Sequence, residues 1–177
     1  MNPFKTYSIQ YVNLNEGDHK YNYIVDNAFF ELFNHNVYNK ARFDVMLHLN
    51  RHGNIITLLF TIKGSITTDC DVCLEELTVN IETVKAVLVK PADTNPDDVD
   101  EDEVIIADND SEINVAQHIY DFITLAVPAR NVHPTDKNGN STCNPNVLKE
   151  LDKHQPGTHD TQETDPRWEK LKGIKIK

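Results

Sequence analysis

Two runs of strict apolar–polar alternation do most to limit what this chain can become. Phe43, Val45, Leu47 and Leu49 form the first, and Ile56, Leu58, Phe60 and Ile62 the second. A period of two puts every apolar residue on one face of an extended strand. Arg51-His52-Gly53-Asn54 between them supplies a hairpin turn. The second run continues through Ile66. After a short break Leu77, Val79 and Ile81 resume the alternation and lead into the apolar stretch 84–89. The pattern predicts a meander of three long strands with one buried face, and the break between the second and third strands contains Cys70-Asp71-Val72-Cys73.

The flanking segments are shorter. Tyr7, Ile9 and Tyr11 alternate, as do Tyr21, Tyr23 and Val25, on either side of the turn Asn15-Glu16-Gly17-Asp18, which predicts a first hairpin. Asp26 or Asn27 can cap a short helix reaching Phe33, with Phe29, Leu32 and Phe33 on one side. Residues 104–107 read as a short strand. Asn114 starts the strongest helix, in which Val115, Ile119, Phe122, Ile123 and Ala126 fall at helical spacing and Pro128 ends the run. The expected fold class is α+β: a curled or barrel-like antiparallel sheet packed against one main helix, with a long irregular C-terminal segment. The expected division is a core over residues 1–128 and an irregular Cys/His-containing tail over 129–177 that ends in a short helix. Large apolar residues are few in 129–164, where only a single helical turn is predicted, at 147–151. Asp165 and Pro166 suit the N-cap and first residue of the terminal helix, with Trp168 and Leu171 as its apolar face.

The 177 residues suffice for one real core, and no stretch approaches the ~20 apolar residues of a membrane span. The N-terminal Met1-Asn2-Pro3-Phe4-Lys5 has no apolar signal core, so a cytoplasmic location is expected. A formal net charge of −11 argues against broad phosphate binding by the chain as a whole. Much of the acidity lies at 97–103. The C-terminus is the reverse, with Lys170, Lys172, Lys175 and Lys177 beside Arg167 and Trp168, and these six are the candidate RNA or partner contacts. The tyrosines at 7, 11, 21 and 23 offer either base-stacking surfaces or core residues, and their alternation favours the core.

Chemistry centres on the cysteines. Three is an odd number and gives no disulfide framework. Cys70 and Cys73 can point two sulfurs at one place. Cys143 can add a third and His133, ten residues earlier, a nitrogen, which together make a tetrahedral zinc donor set. The same residues can equally be a knuckle that holds no metal. A redox dithiol fits less well, because residues after Cys73 alternate like a strand and Asp69 and Asp71 would raise a thiol pKa. His35, His48, His52 and His118 read as surface residues, and no nucleophile motif, zincin motif or phosphate loop is present.

The order of these motifs resembles a known family. A long strand leads to Cys70-Asp71-Val72-Cys73-Leu74, then a strand, an acidic loop, the helix start Glu112-Ile113-Asn114-Val115 and the stop Leu125-Ala126-Val127-Pro128. His133, Cys143 and the ending Asp165-Pro166-Arg167-Trp168 follow. This set, spanning roughly 57–171, is similar to the YceD family of large ribosomal RNA subunit accumulation proteins. The resemblance implies a non-enzymatic ribosome-biogenesis factor, with large-subunit ribosomal RNA or a ribosomal protein as partner and with no membrane or small-molecule substrate. The family's Cys/His positions map onto Cys70, Cys73, His133 and Cys143. Relatives often carry a second Cys-x-x-Cys after the Pro stop, where this chain has Cys143 alone. The competing expectations are a small zinc- or thiol-dependent enzyme at the Cys70–Cys73 turn, and an acidic interaction scaffold unrelated to RNA.

Overall fold

The computed structural model describes residues 3–53, 55–91, 103–106 and 111–154. Its centre is a five-stranded sheet in the order β2-β3-β4-β5-β6, built from β2 (Gly17–Asp26), β3 (Lys40–His52), β4 (Ile55–Asp69), β5 (Glu76–Pro91) and β6 (Glu103–Ile106). The first four strands are antiparallel neighbours and β6 lies parallel to β5. The predicted meander is β3, β4 and β5. Its register pairs Val45 with Ile62, Leu47 with Phe60 and Leu49 with Leu58, so both alternating runs share one face. These six side chains are at most 1% exposed. Each contributes about 1.5–3 kcal/mol by leaving water.

Two helices cover that face. In α2 (Ala116–Ala126), Ile119 and Ile123 are fully buried, as the helical spacing requires. In α1 (Asn27–Glu31), Phe29 and Phe30 enter the same core, and the N-cap Asp26 accepts a hydrogen bond from the Phe29 amide. Asn27 fixes α1 to the sheet by accepting from the Ala41 amide at 2.7 Å and donating to the Tyr38 carbonyl at 3.2 Å. The protein is thus α+β, and among the described residues the sheet is open, with β2 and β6 as its edges.

Gly64 is required by the approach of β3 to β4. A Cβ there would collide with the Arg42 carbonyl and lie 2.6 Å from the Phe43 Cα, both backbone atoms that cannot turn aside.

Several expectations are corrected. The first hairpin does not form. Tyr7 ends a 3-10 helix (Pro3–Tyr7), β1 (Ser8–Ile9) pairs with β7 (Ile113–Asn114), and β2 pairs with β3 instead. A two-residue strand needs little sequence signal, and the long alternation of β3 offers β2 the larger apolar face. α1 ends at Glu31 rather than Phe33; Phe29 and Phe30 are its buried residues, and Phe33, beyond its end, still packs against the core. Asn114 lies in β7, not in the helix. Its side chain accepts from the Ala116 amide at 3.0 Å, while the N-cap position of α2 is Val115. The tail is less irregular than predicted. Residues 145–154 form a full helix, α3 (Pro145–His154), with Asn144 accepting from the Asn146 amide and Pro145 as first residue. The tyrosines belong to the core: Tyr7 and Tyr23 stack on each other at 5.3 Å and Tyr7 packs against Phe29. Burial, with the neighbouring Tyr21 and Tyr7, pushes the Tyr23 phenol up to about 12. His118 and His35 are half-buried rather than surface residues, His118 stacked on Phe60 and His35 bonded to the Tyr120 hydroxyl at 2.7 Å. No described helix is long and apolar enough to cross a membrane.

Candidate metal centre

The turn between β4 and β5 closes on itself through its backbone. The Leu74 amide donates to the Cys70 carbonyl at 2.9 Å, and the Cys70 amide donates to the Glu75 carbonyl at 2.8 Å. Leu74 takes a positive φ of 59° to complete the loop, with its side chain left in solvent. This tight knuckle turns the backbone N–H groups of Val72 and Cys73 toward the Cys70 sulfur.

The chain after α2 is brought to the knuckle by Asp71. The Asp71 amide donates to the Asn131 carbonyl at 2.8 Å, and the Asn131 amide donates back to the Asp71 carboxylate at 2.6 Å. This two-way clamp sets His133 two residues further on. A compact loop then returns the chain. Thr135 and Ser141 form a bridge, the Asp136 carboxylate accepts from the amides of Asn138 and Asn140, and Gly139 turns with a φ of +84°. Those amides, with the Asn140 side chain, hold the Asp136 carboxyl below its usual range. Closing this loop places Cys143 beside His133. Asn144 then reaches the Glu75 carboxylate at 2.6 Å, and Val147 and Leu148 of α3 pack on the cluster with Leu77 and Val72.

All four residues predicted from spacing meet here. Cys70 Sγ lies 3.8 Å from Cys143 Sγ, and His133 Nδ1 lies 3.4 Å from Cys73 Sγ and 3.8 Å from Cys143 Sγ. The four ligand atoms fall within 4.8 Å of one another and can hold a metal ion. A tetrahedron with metal–sulfur bonds of about 2.3 Å and metal–nitrogen bonds of about 2.0 Å has edges of roughly 3.5–3.8 Å, and these three separations are close to that. The soft, thiolate-rich donor set is one that zinc favours.

The electrostatics support a thiolate. Burial raises the Cys70 thiol, but backbone N–H groups of Cys73, Val72 and His133 and the His133 ring outweigh it and bring Cys70 down to about 6. Cys143 moves the other way: the Ser141 hydroxyl lowers it, while burial and the sulfurs of Cys70 and Cys73 raise it further. A low thiol pKa alone does not make a reactive cysteine, which also needs access. Cys70 is 0% exposed and Cys73 and Cys143 are 5% exposed, and all three are free thiols.

The acidic neighbours have specific partners. Asp69 accepts from the Asn39 side chain at 2.9 Å and Asp71 clamps Asn131. The candidate contacts Arg167, Trp168, Lys170, Lys172, Lys175 and Lys177 lie outside the described residues, as does most of the acidic stretch 97–103.

Residues 58–175 match the sequence model of a family described as large ribosomal RNA subunit accumulation protein YceD. The matched span contains the whole Cys/His cluster. No curated protein and no solved structure matches the chain.

Proposed function

The chain belongs to the YceD family, and from that premise we propose that it is a non-enzymatic cytoplasmic factor supporting the accumulation or processing of large-subunit ribosomal RNA. The observation that carries this reading is the family match over residues 58–175. The Cys/His cluster is proposed as a structural zinc site. Four protein ligands close a tetrahedron, whereas a catalytic zinc keeps a position open for water or substrate. Three sulfurs with at most 5% exposure also weigh against thiol chemistry. The work of the site is then mechanical: Cys70 and Cys73 anchor it on the sheet, and His133 and Cys143 tie the chain after α2 to that anchor.

Charge favours a protein intermediary. At −11 the chain as a whole disfavours phosphate and favours a basic ribosomal protein. The basic run Arg167, Lys170, Lys172, Lys175 and Lys177, with Trp168, is proposed as the local contact to RNA or to an RNA-bearing partner. Depletion of the protein tests the reading: the ratio of large- to small-subunit ribosomal RNA should fall, and tagged protein should recover large-subunit precursor RNA or its proteins from extract. An unchanged ratio together with no such recovery would overturn it and favour a scaffold unrelated to RNA.

A further inference from the structure

A cleft lined by none of the cysteine-site residues has no part in the proposed zinc site. It lies where the 3-10 helix, the end of α1, β7 and the first turn of α2 meet, and has a volume of about 340 Å³. Phe4 and Phe33 supply its aromatic lining, with ring centroids 5.2 Å apart and planes inclined at 59°. Tyr120 stacks on Phe33 at 4.4 Å and holds that ring in place.

The polar groups in the lining are unequal. The side-chain amides are engaged: Asn114 Nδ2 donates to the Phe4 carbonyl and the Ser8 hydroxyl, both at 2.9 Å, and Gln117 Nε2 donates to Asp121 at 2.8 Å. Glu112 is exposed and its carboxylate has no partner among the described residues. The cleft therefore offers a carboxylate beside aromatic surface, which suits a flat cation. An anion, the usual guest near a helix N-terminus, is opposed by Glu112. Guanidinium meets the demand better than ammonium, because it is planar, stacks on aromatic rings and pairs with a carboxylate through two N–H groups.

We infer that this cleft receives an arginine side chain from a basic segment of a partner protein, with Glu112 as the charge partner and Phe4 and Phe33 as the stacking surface. The identification of that partner as a ribosomal protein rests on the function proposed above, whereas the chemistry of the cleft does not. Charge complementarity acts at two ranges, with the −11 chain drawing in basic segments and Glu112 selecting one side chain.

The full chain, amide-labelled for NMR, is titrated with acetyl-arginine amide and with its neutral isostere, acetyl-citrulline amide. The arginine probe should shift the amides of Ser8, Glu112 and Gln117, and citrulline should shift them far less. Glu112→Gln, an exposed near-isosteric change that leaves the remaining spectrum in place, should weaken the arginine probe about three- to fivefold, the size of a solvent-exposed ion pair. Equal responses to arginine and citrulline, or an unchanged affinity in Glu112→Gln, would overturn the assignment. In cells, Glu112→Gln should lower large-subunit RNA toward the level seen on depletion. Normal RNA in that variant, alongside a loss on depletion, would overturn the cleft as the partner site and leave the family role standing.

Discussion

Cys70 and Cys143, 73 positions apart in sequence, bring their Sγ atoms to 3.8 Å of each other. Their separation fits the edge of a tetrahedron around a metal ion, and it joins the turn between β4 and β5 to a segment with little apolar surface of its own. Removing the metal should therefore loosen one part of the molecule and spare the rest. Chelation is expected to speed trypsin cleavage at Lys149 and Lys153 in α3 while amide protection in β3 to β5 persists. Unchanged cleavage would show that Val147 and Leu148 hold α3 without help.

Asp71 positions His133 without touching the cluster through its own side chain. Asp71→Asn keeps the size but exchanges a charged acceptor at Asn131 for a neutral one. It should weaken zinc by roughly tenfold, the lower end of the effect of disturbing groups that orient a ligand, with the sheet unaltered. A chelator competition series on the two proteins checks this. Equal affinities would remove the clamp from the account.

Gly64→Ala should destabilise the fold by about 1–3 kcal/mol or more, since the added methyl meets backbone atoms of Arg42 and Phe43 as well as the buried Phe43 ring. Urea unfolding measures it. A variant as stable as the parent would mean that β3 and β4 sit further apart than described.

Asn27→Ala leaves the Ala41 amide and the Tyr38 carbonyl without their partner. The expected loss is about 1–3 kcal/mol in the same assay, because both groups are part-buried. Loss of only a few tenths would imply that water replaces the side chain.

His118 makes stability depend on pH. Burial holds its imidazole below the ordinary value, only partly offset by Asp121, and Nδ1 has no partner among the described residues. The unfolded chain takes up a proton near the ordinary pKa of about 6.5, and the folded chain resists it. Stability from this residue is therefore full above about 6.5 and declines as pH falls toward the depressed folded value. His118→Phe should flatten the slope of stability against pH in that window. An unaltered slope would place the charge change elsewhere.

What could be read from the sequence followed from periodicity and spacing. The alternation at 43–49 and 56–62 has one physical outcome once a face is buried, so β3 and β4 were legible. So was α2, because Ile119 and Ile123 recur at helical spacing before Pro128. The four-residue cluster was legible as chemistry but not as geometry. The clamp from Asp71 to Asn131 and the loop fastened by Asp136 are side-chain-to-backbone contacts, which leave no periodic trace. Some missed features did carry signals. Asn144-Pro145 is an N-cap and first-position pair of the same kind as Asp165-Pro166, and Asp136-x-Asn138-Gly139 is turn chemistry. The short pairing of β1 with β7 rests on two residues a side, too few for any pattern to declare it.

The most direct test of the central claim is zinc X-ray absorption together with metal content on the purified full chain. A closed structural site predicts one zinc per chain, surrounded by three sulfurs at about 2.3 Å and one nitrogen at about 2.0 Å. A substoichiometric metal, or a zinc whose surroundings include a water oxygen in place of Cys143 or His133, would contradict it.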